Sequence, residues 1–155
     1  MLCKIQEIES NHNAGWAYLY LKNNEGEELQ FSSISYINSD FPFDFTEKLG
    51  RSLLDSFEHE LPIGFSYEID CEGFTEVFVL TENTIYKIID AEKPVTESIF
   101  TDANDLFAFR LFFFYYKHFS EWTDFWDEDI EAEKLSVITD IYTKVKNLYK
   151  CIEAI

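Results

Sequence analysis

Positive charge is scarce in this sequence. Its 155 residues include 12 Lys and Arg against 30 Asp and Glu, a formal net charge of -18 at pH 7. Between Arg51 and Lys87 there is no Lys or Arg, while Asp55, Glu58, Glu60, Glu68, Asp70, Glu72, Glu76 and Glu82 are all acidic. A second base-free stretch, residues 119–133, carries Glu121, Asp124, Asp127, Glu128, Asp129, Glu131 and Glu133. Such a field repels phosphate backbones and anionic lipid and attracts basic proteins. Direct binding to nucleic acid or to a membrane is therefore not expected.

Glycine, cysteine and long apolar runs are scarce too. None of the five glycines stands in a GxGxxG or P-loop pattern, which leaves no cradle for a nucleotide phosphate. Cys3, Cys71 and Cys151 are odd in number, far apart and outside any CxxC spacing, so they are expected to be reduced thiols in a cytoplasmic protein. The first residues, MLCKIQEIES, lack the apolar run of a signal peptide. The most apolar stretch, residues 106–116, is interrupted by Arg110. It falls well short of the roughly 20 residues that span a bilayer, and so predicts a buried helix. No internal repeat, low-complexity segment or Pro/Gly-rich linker divides the chain, and one domain over residues 1–155 is expected.

What the sequence does contain is core-forming material: 46% hydrophobic residues, with aromatics alone at 18%. A chain of this length buries roughly 68–70% of its unfolded surface, so neither disulfide nor metal is required to hold it together. Residues 2–9, 15–21 and 28–35 have the character of strands separated by turn clusters at 10–13 and 22–26. Phe45, Leu49, Leu53 and Phe57 then recur every four residues behind Asp44 and Glu47, a capping-box spacing that predicts a helix ended by Pro62 and Gly64. Phe65, Tyr67, Ile69 and Cys71 alternate with Ser66, Glu68, Asp70 and Glu72, the signature of a half-exposed strand. Apolar runs at 74–81 and 84–89 complete a second meander. Helices are predicted over 105–119 and 129–153, the latter with Leu135, Ile138, Ile141, Tyr142, Val145, Leu148, Tyr149 and Ile152 on its apolar face. The order βββαβββαα predicts an α+β fold: one antiparallel sheet of about six strands with helices mostly on one face.

Catalytic and metal-binding patterns fail one by one. His59-Glu60 opens like the zinc motif HExxH, but position 63 is Ile63 and Pro62 breaks the helix before it. Asp127, Asp129, Glu131 and Glu133 alternate like the ligands of a calcium loop, yet Ala132 and Ile138 stand where a Gly and a Glu are needed. Acids in a helix's first turn complement its dipole without any ion. The cysteines with His12, His59 and His118 supply the types for a nucleophilic pair, but no nucleophile elbow is present, and an electronegative field raises a thiol's pKa. No enzymatic activity, cofactor or metal is expected.

Residues 120–129, SEWTDFWDED, combine Trp122, Phe125 and Trp126 with five acids between two predicted helices. One reading is a connector whose aromatics fold back onto the core. The other is a recognition surface, because Trp is enriched at interface hot spots and carboxylates meet a basic partner. On that reading Glu121, Trp122, Asp124, Trp126, Asp127, Asp129 and Glu131 form a partner-binding site. In size, acidity and aromatic content the whole chain resembles the immunity proteins of bacterial toxin systems. That resemblance implies an inhibitor of a cognate toxin, such as a basic nuclease, with a basic protein as partner; no motif assigns residue roles or an oligomeric state. An acidic adaptor, a decoy of nucleic-acid-binding surfaces and a small enzyme are the alternatives.

Overall fold

The computed structural model describes residues 2–36, 41–90, 92–123 and 126–153. It is α+β and divides into two compact units, one from Met1–Phe41 with Gly64–Phe107 and the other from Pro42–Ile63 with Ala108–Ile155.

The first unit is built from strands. β1 (Ile5–Asn13), β2 (Trp16–Asn23) and β3 (Glu28–Ser35) form one antiparallel sheet; β4 (Phe65–Asp70), β5 (Thr75–Leu80), β6 (Thr84–Asp90) and β7 (Val95–Phe100) form another. The expected single six-stranded sheet is thus two sheets of three and four strands. The physical reason lies in their faces. Each meander has its own apolar face, and Phe31 of β3 meets Phe78 of β5 with ring centroids 5.6 Å apart. Such a contact buries apolar surface of both meanders without joining their edges.

β7 was not anticipated from the pattern, because Ile99 is the sole buried residue in VTESIF. It is an edge strand held by its ladder to β6, with Glu97 opposite Lys87 and Ile99 opposite Ile85. Two of the hairpin turns need backbone in the left-handed region: Ala14 (φ 53°) with Gly15 (φ 90°), and Glu72 (φ 51°) with Gly73 (φ 123°). Positive φ at both central residues is the turn that matches strand twist.

Asn23 organises the β2–β3 loop from a fully buried position. Its Oδ1 accepts hydrogen bonds from the backbone N–H of Glu25 and Glu27, and its Nδ2 donates to the Phe100 carbonyl at 3.0 Å. Two acids tie the N-terminal segment down: Asp102 accepts from the Cys3 N–H, and Asp105 accepts from the Ile5 N–H and the Thr101 hydroxyl.

The second unit contains α1 (Phe43–Glu58), most of α2 (Phe107–Lys117) and α3 (Glu128–Glu153). Phe45, Leu49 and Leu53 are buried as their spacing predicts, but Phe57 is exposed. A four-residue repeat drifts by about 40° per step, so its fourth member has turned away from the core. The expected capping box is not formed. Pro42, which lacks an N–H needing a partner, precedes the helix and starts it before Asp44. Asp44 instead pairs with Lys48 at 3.1 Å, and Glu47 with Arg51 at 3.5 Å. The helix also ends before Pro62: Glu60 takes φ 54°, its N–H donates to the Phe57 carbonyl, and the Leu61 N–H donates to that of Ser56. This is a Schellman closure with a glutamate in the place glycine usually takes.

On α3, Ile138, Ile141 and Val145 are buried, whereas Leu135 is 42% exposed at the rim of the stripe. Tyr142 stacks on Tyr116 of α2 at 4.0 Å between centroids. Tyr149 and Ile152 lie outside the described side chains. No helix among the described residues is long and apolar enough to cross a membrane.

Candidate partner-binding surface

The segment singled out from sequence runs from the end of α2 into α3. It is not a featureless connector: Phe119–Trp122 forms a 3-10 turn. Phe119 and Trp122 are buried there, and Trp122, 3% exposed, sets its ring edge-on to Tyr115 at 6.3 Å. Of the two readings of this segment, Trp122 follows the first: it folds back onto the aromatic core of its unit. An indole this large excludes more water against Phe and Tyr rings than it could on a short turn.

Trp126 is half-buried. Its ring packs against Phe43 at 6.2 Å and Phe119 at 5.6 Å, beside buried Ile138. Lys134 Nζ lies 4.9 Å from the Trp126 ring centroid and 4.2 Å from that of Phe43, a cation held over two aromatic faces. Asp124 and Phe125 lie outside the described residues.

The acids divide by role. Glu121 is exposed and its Oε2 lies 2.7 Å from His118 Nδ1. Asp127 is the N-cap of α3: its Oδ1 accepts from the Ile130 N–H at 2.9 Å, and its carbonyl accepts from the Glu131 N–H. Glu128, Asp129 and Glu131 occupy the helix's first turn, where the unpaired backbone N–H groups favour negative charge. Glu128, Asp129 and Glu133 are exposed.

Ile130, which the sequence reading passed over, is 41% exposed in the middle of this run. Glu133 and Lys134, three and four residues on, are its neighbours along the helix. The signal is an isoleucine inside the acidic string DEDIEAE. The structure places Trp126, Asp127, Asp129 and Glu131 at one helix start with Ile130 among them, and Trp122 in the core of its unit.

Cys3 and Cys71 are buried, and their thiols donate to the carbonyls of Phe100 and Ile69. Burial, reinforced by Glu25 and Asp102, raises the Cys3 thiol pKa; burial and Glu76 push that of Cys71 up to about 11. Neither is a ready thiolate nucleophile at neutral pH. His59 caps the C-terminal end of α1, with Nε2 3.3 Å from Asp55 Oδ1; with Glu58 these side chains form an exposed group. An ordinary one-turn pairing accounts for it.

No protein-family model matches the chain, and neither a curated protein nor a solved structure shows significant similarity to it.

Proposed function

We propose that this protein acts by binding: it is an immunity-type inhibitor that neutralises a cognate basic protein, such as a toxic nuclease, at the start of α3. The observation that carries the reading is the exposed Ile130 within the acids Asp127, Glu128, Asp129, Glu131 and Glu133. The helix dipole accounts for acids in a first turn, and Ile130 sets an apolar side chain in their midst.

An apolar anchor with a charged rim is the anatomy of a protein-recognition patch. Desolvating the anchor holds the complex together, and the rim guides encounter and discriminates between partners. Trp126 would contribute the exposed part of its ring beside the anchor. Such a protein needs no catalytic group, in keeping with the raised thiol pKa values of Cys3 and Cys71.

The test is capture from the source cells with the purified chain as bait, using wild type and Ile130→Ser in parallel. The account expects a basic protein retained by wild type and largely lost by the variant. Expressed alone, that protein should arrest growth, and co-expression with wild type should restore it. Capture of a protein whose expression is harmless, or equal capture by the variant, contradicts the proposal.

A further inference from the structure

A second surface, on the strand-built unit and independent of α3, has its own recognition chemistry. Along β2, Ala17, Leu19 and Leu21 are buried, so Trp16, Tyr18, Tyr20 and Lys22 share the opposite face of the sheet. Ladder register adds their neighbours: Asn13 lies opposite Trp16, Asn11 opposite Tyr18, and Glu9 and Gln30 on either side of Tyr20. The three aromatics thus form a row about 13 Å long, at roughly 3.4 Å per residue. Trp16 is 43% exposed. At its end of the row an open cleft of about 440 Å³ is lined by Asn11, His12, Asn13, Trp16, Tyr18 and Ser32, among others.

The two ends of the row differ in charge. The cleft is lined by neutral residues and His12 in a chain of net charge -18. The Tyr20 end is net acidic: Glu7, Glu9 and Glu28 surround one base, Lys22, and the Tyr20 hydroxyl donates to Glu28 Oε1 at 2.9 Å. That hydrogen bond, partial burial and the charges of Glu28, Glu7 and Glu9 push the Tyr20 phenol up to about 12.

We propose that this face binds an extended, proline-containing peptide segment that carries Arg or Lys at one end. Proline rings pack flat on exposed aromatic faces, and a polyproline helix presents carbonyls that have no internal partners. At about 3.1 Å per residue, four or five such residues match the row. Asn11 Oδ1 is engaged by the His12 N–H at 2.7 Å, which leaves the Asn11 amide NH2 as a donor for a peptide carbonyl. The basic end meets the Glu9, Glu28 and Tyr20 end, where carboxylates and an aromatic face both attract a cation. The same acids repel phosphates, which disfavours single-stranded nucleic acid despite the stacking platform.

The experiment is calorimetric titration of the full chain with three probes: an oligoproline peptide ending in arginines, the same peptide ending in glutamates, and a neutral oligosaccharide. The arginine peptide should bind, more weakly as salt rises, and the other two should not. Trp16→Ala should weaken it roughly thirtyfold, as expected for a large aromatic anchor. Glu9→Lys with Glu28→Lys, both at exposed positions, should weaken the arginine peptide while leaving the thermal melt in place. If Trp16→Ala fails to fold, the charge-reversal pair decides. Absence of binding by the arginine peptide, equal binding of the glutamate peptide, binding of the oligosaccharide alone, or indifference to the charge reversal overturns the proposal.

Discussion

Gly50 of α1 passes so close to Ile141 of α3 that a β-carbon on Gly50 would sit 2.5 Å from Ile141 Cγ2, and as close to the Phe112 ring. Glycine inside a helix normally costs about 1 kcal/mol relative to alanine. Here the missing side chain lets two helices approach. Gly50→Ala is therefore expected to destabilise the protein, by about 1–3 kcal/mol of overpacking, where helix propensity alone predicts a gain. Urea denaturation midpoints of the two proteins decide the sign.

Glu60 holds a left-handed backbone at the end of α1. For a residue with a β-carbon that conformation costs roughly 1–2 kcal/mol, and a negative charge at a helix C-terminus adds to the cost. Glu60→Gly is expected to raise stability by about 1 kcal/mol, read as a higher melting temperature. An unchanged or lowered melt would mean that the glutamate side chain makes a compensating contact.

Glu76 is buried on β5, with Oε2 lacking a hydrogen-bond partner among the described residues. Burial raises its pKa above the ordinary 4.5, Lys87 offsets part of that rise, and Glu97 adds to it. The folded protein therefore keeps this proton to a higher pH than the unfolded chain does. Over the interval between the two values the unfolded state binds fewer protons, so stability falls as pH rises and is fullest below the interval. Glu76→Gln removes that component. The variant's stability advantage over wild type should grow as pH rises from the ordinary carboxylate value through the folded one, then level off. A difference independent of pH would contradict the assignment.

Trp122 and Ile130 give separate tests of folding and of the proposed recognition. Trp122→Ala should cost about 3–5 kcal/mol of stability, because it empties a buried aromatic site. Ile130→Ser removes an exposed side chain and should change stability by about 0.5 kcal/mol or less while weakening partner binding. Thermal melts run beside the binding assay distinguish the two effects.

The sequence made the half-exposed strands legible where alternation was clean: Phe65, Tyr67 and Ile69 are buried with Ser66 and Glu68 in water, and β3 covers the predicted residues 28–35. It did not reveal β7, since an edge strand that buries only Ile99 has no period to detect. Nor could it show that the two meanders meet through Phe31 and Phe78, which lie far apart in the chain. At the candidate surface, composition marked the segment but not which of its side chains stay in contact with solvent. Whether an indole turns inward depends on neighbours such as Tyr115 and Phe43, which come from other elements.

Charge-guided recognition at the start of α3 is tested most directly by the association rate of the captured partner, measured from low to high ionic strength. Exposed charges act over a Debye length of about 10 Å at 0.1 M salt, so their guidance is lost as salt is added. The rate for wild type should fall steeply with salt, and Asp129→Lys with Glu133→Lys should lower it at low salt and flatten the dependence. An association rate that is flat across ionic strength, or unchanged by reversing those two charges, would contradict the account.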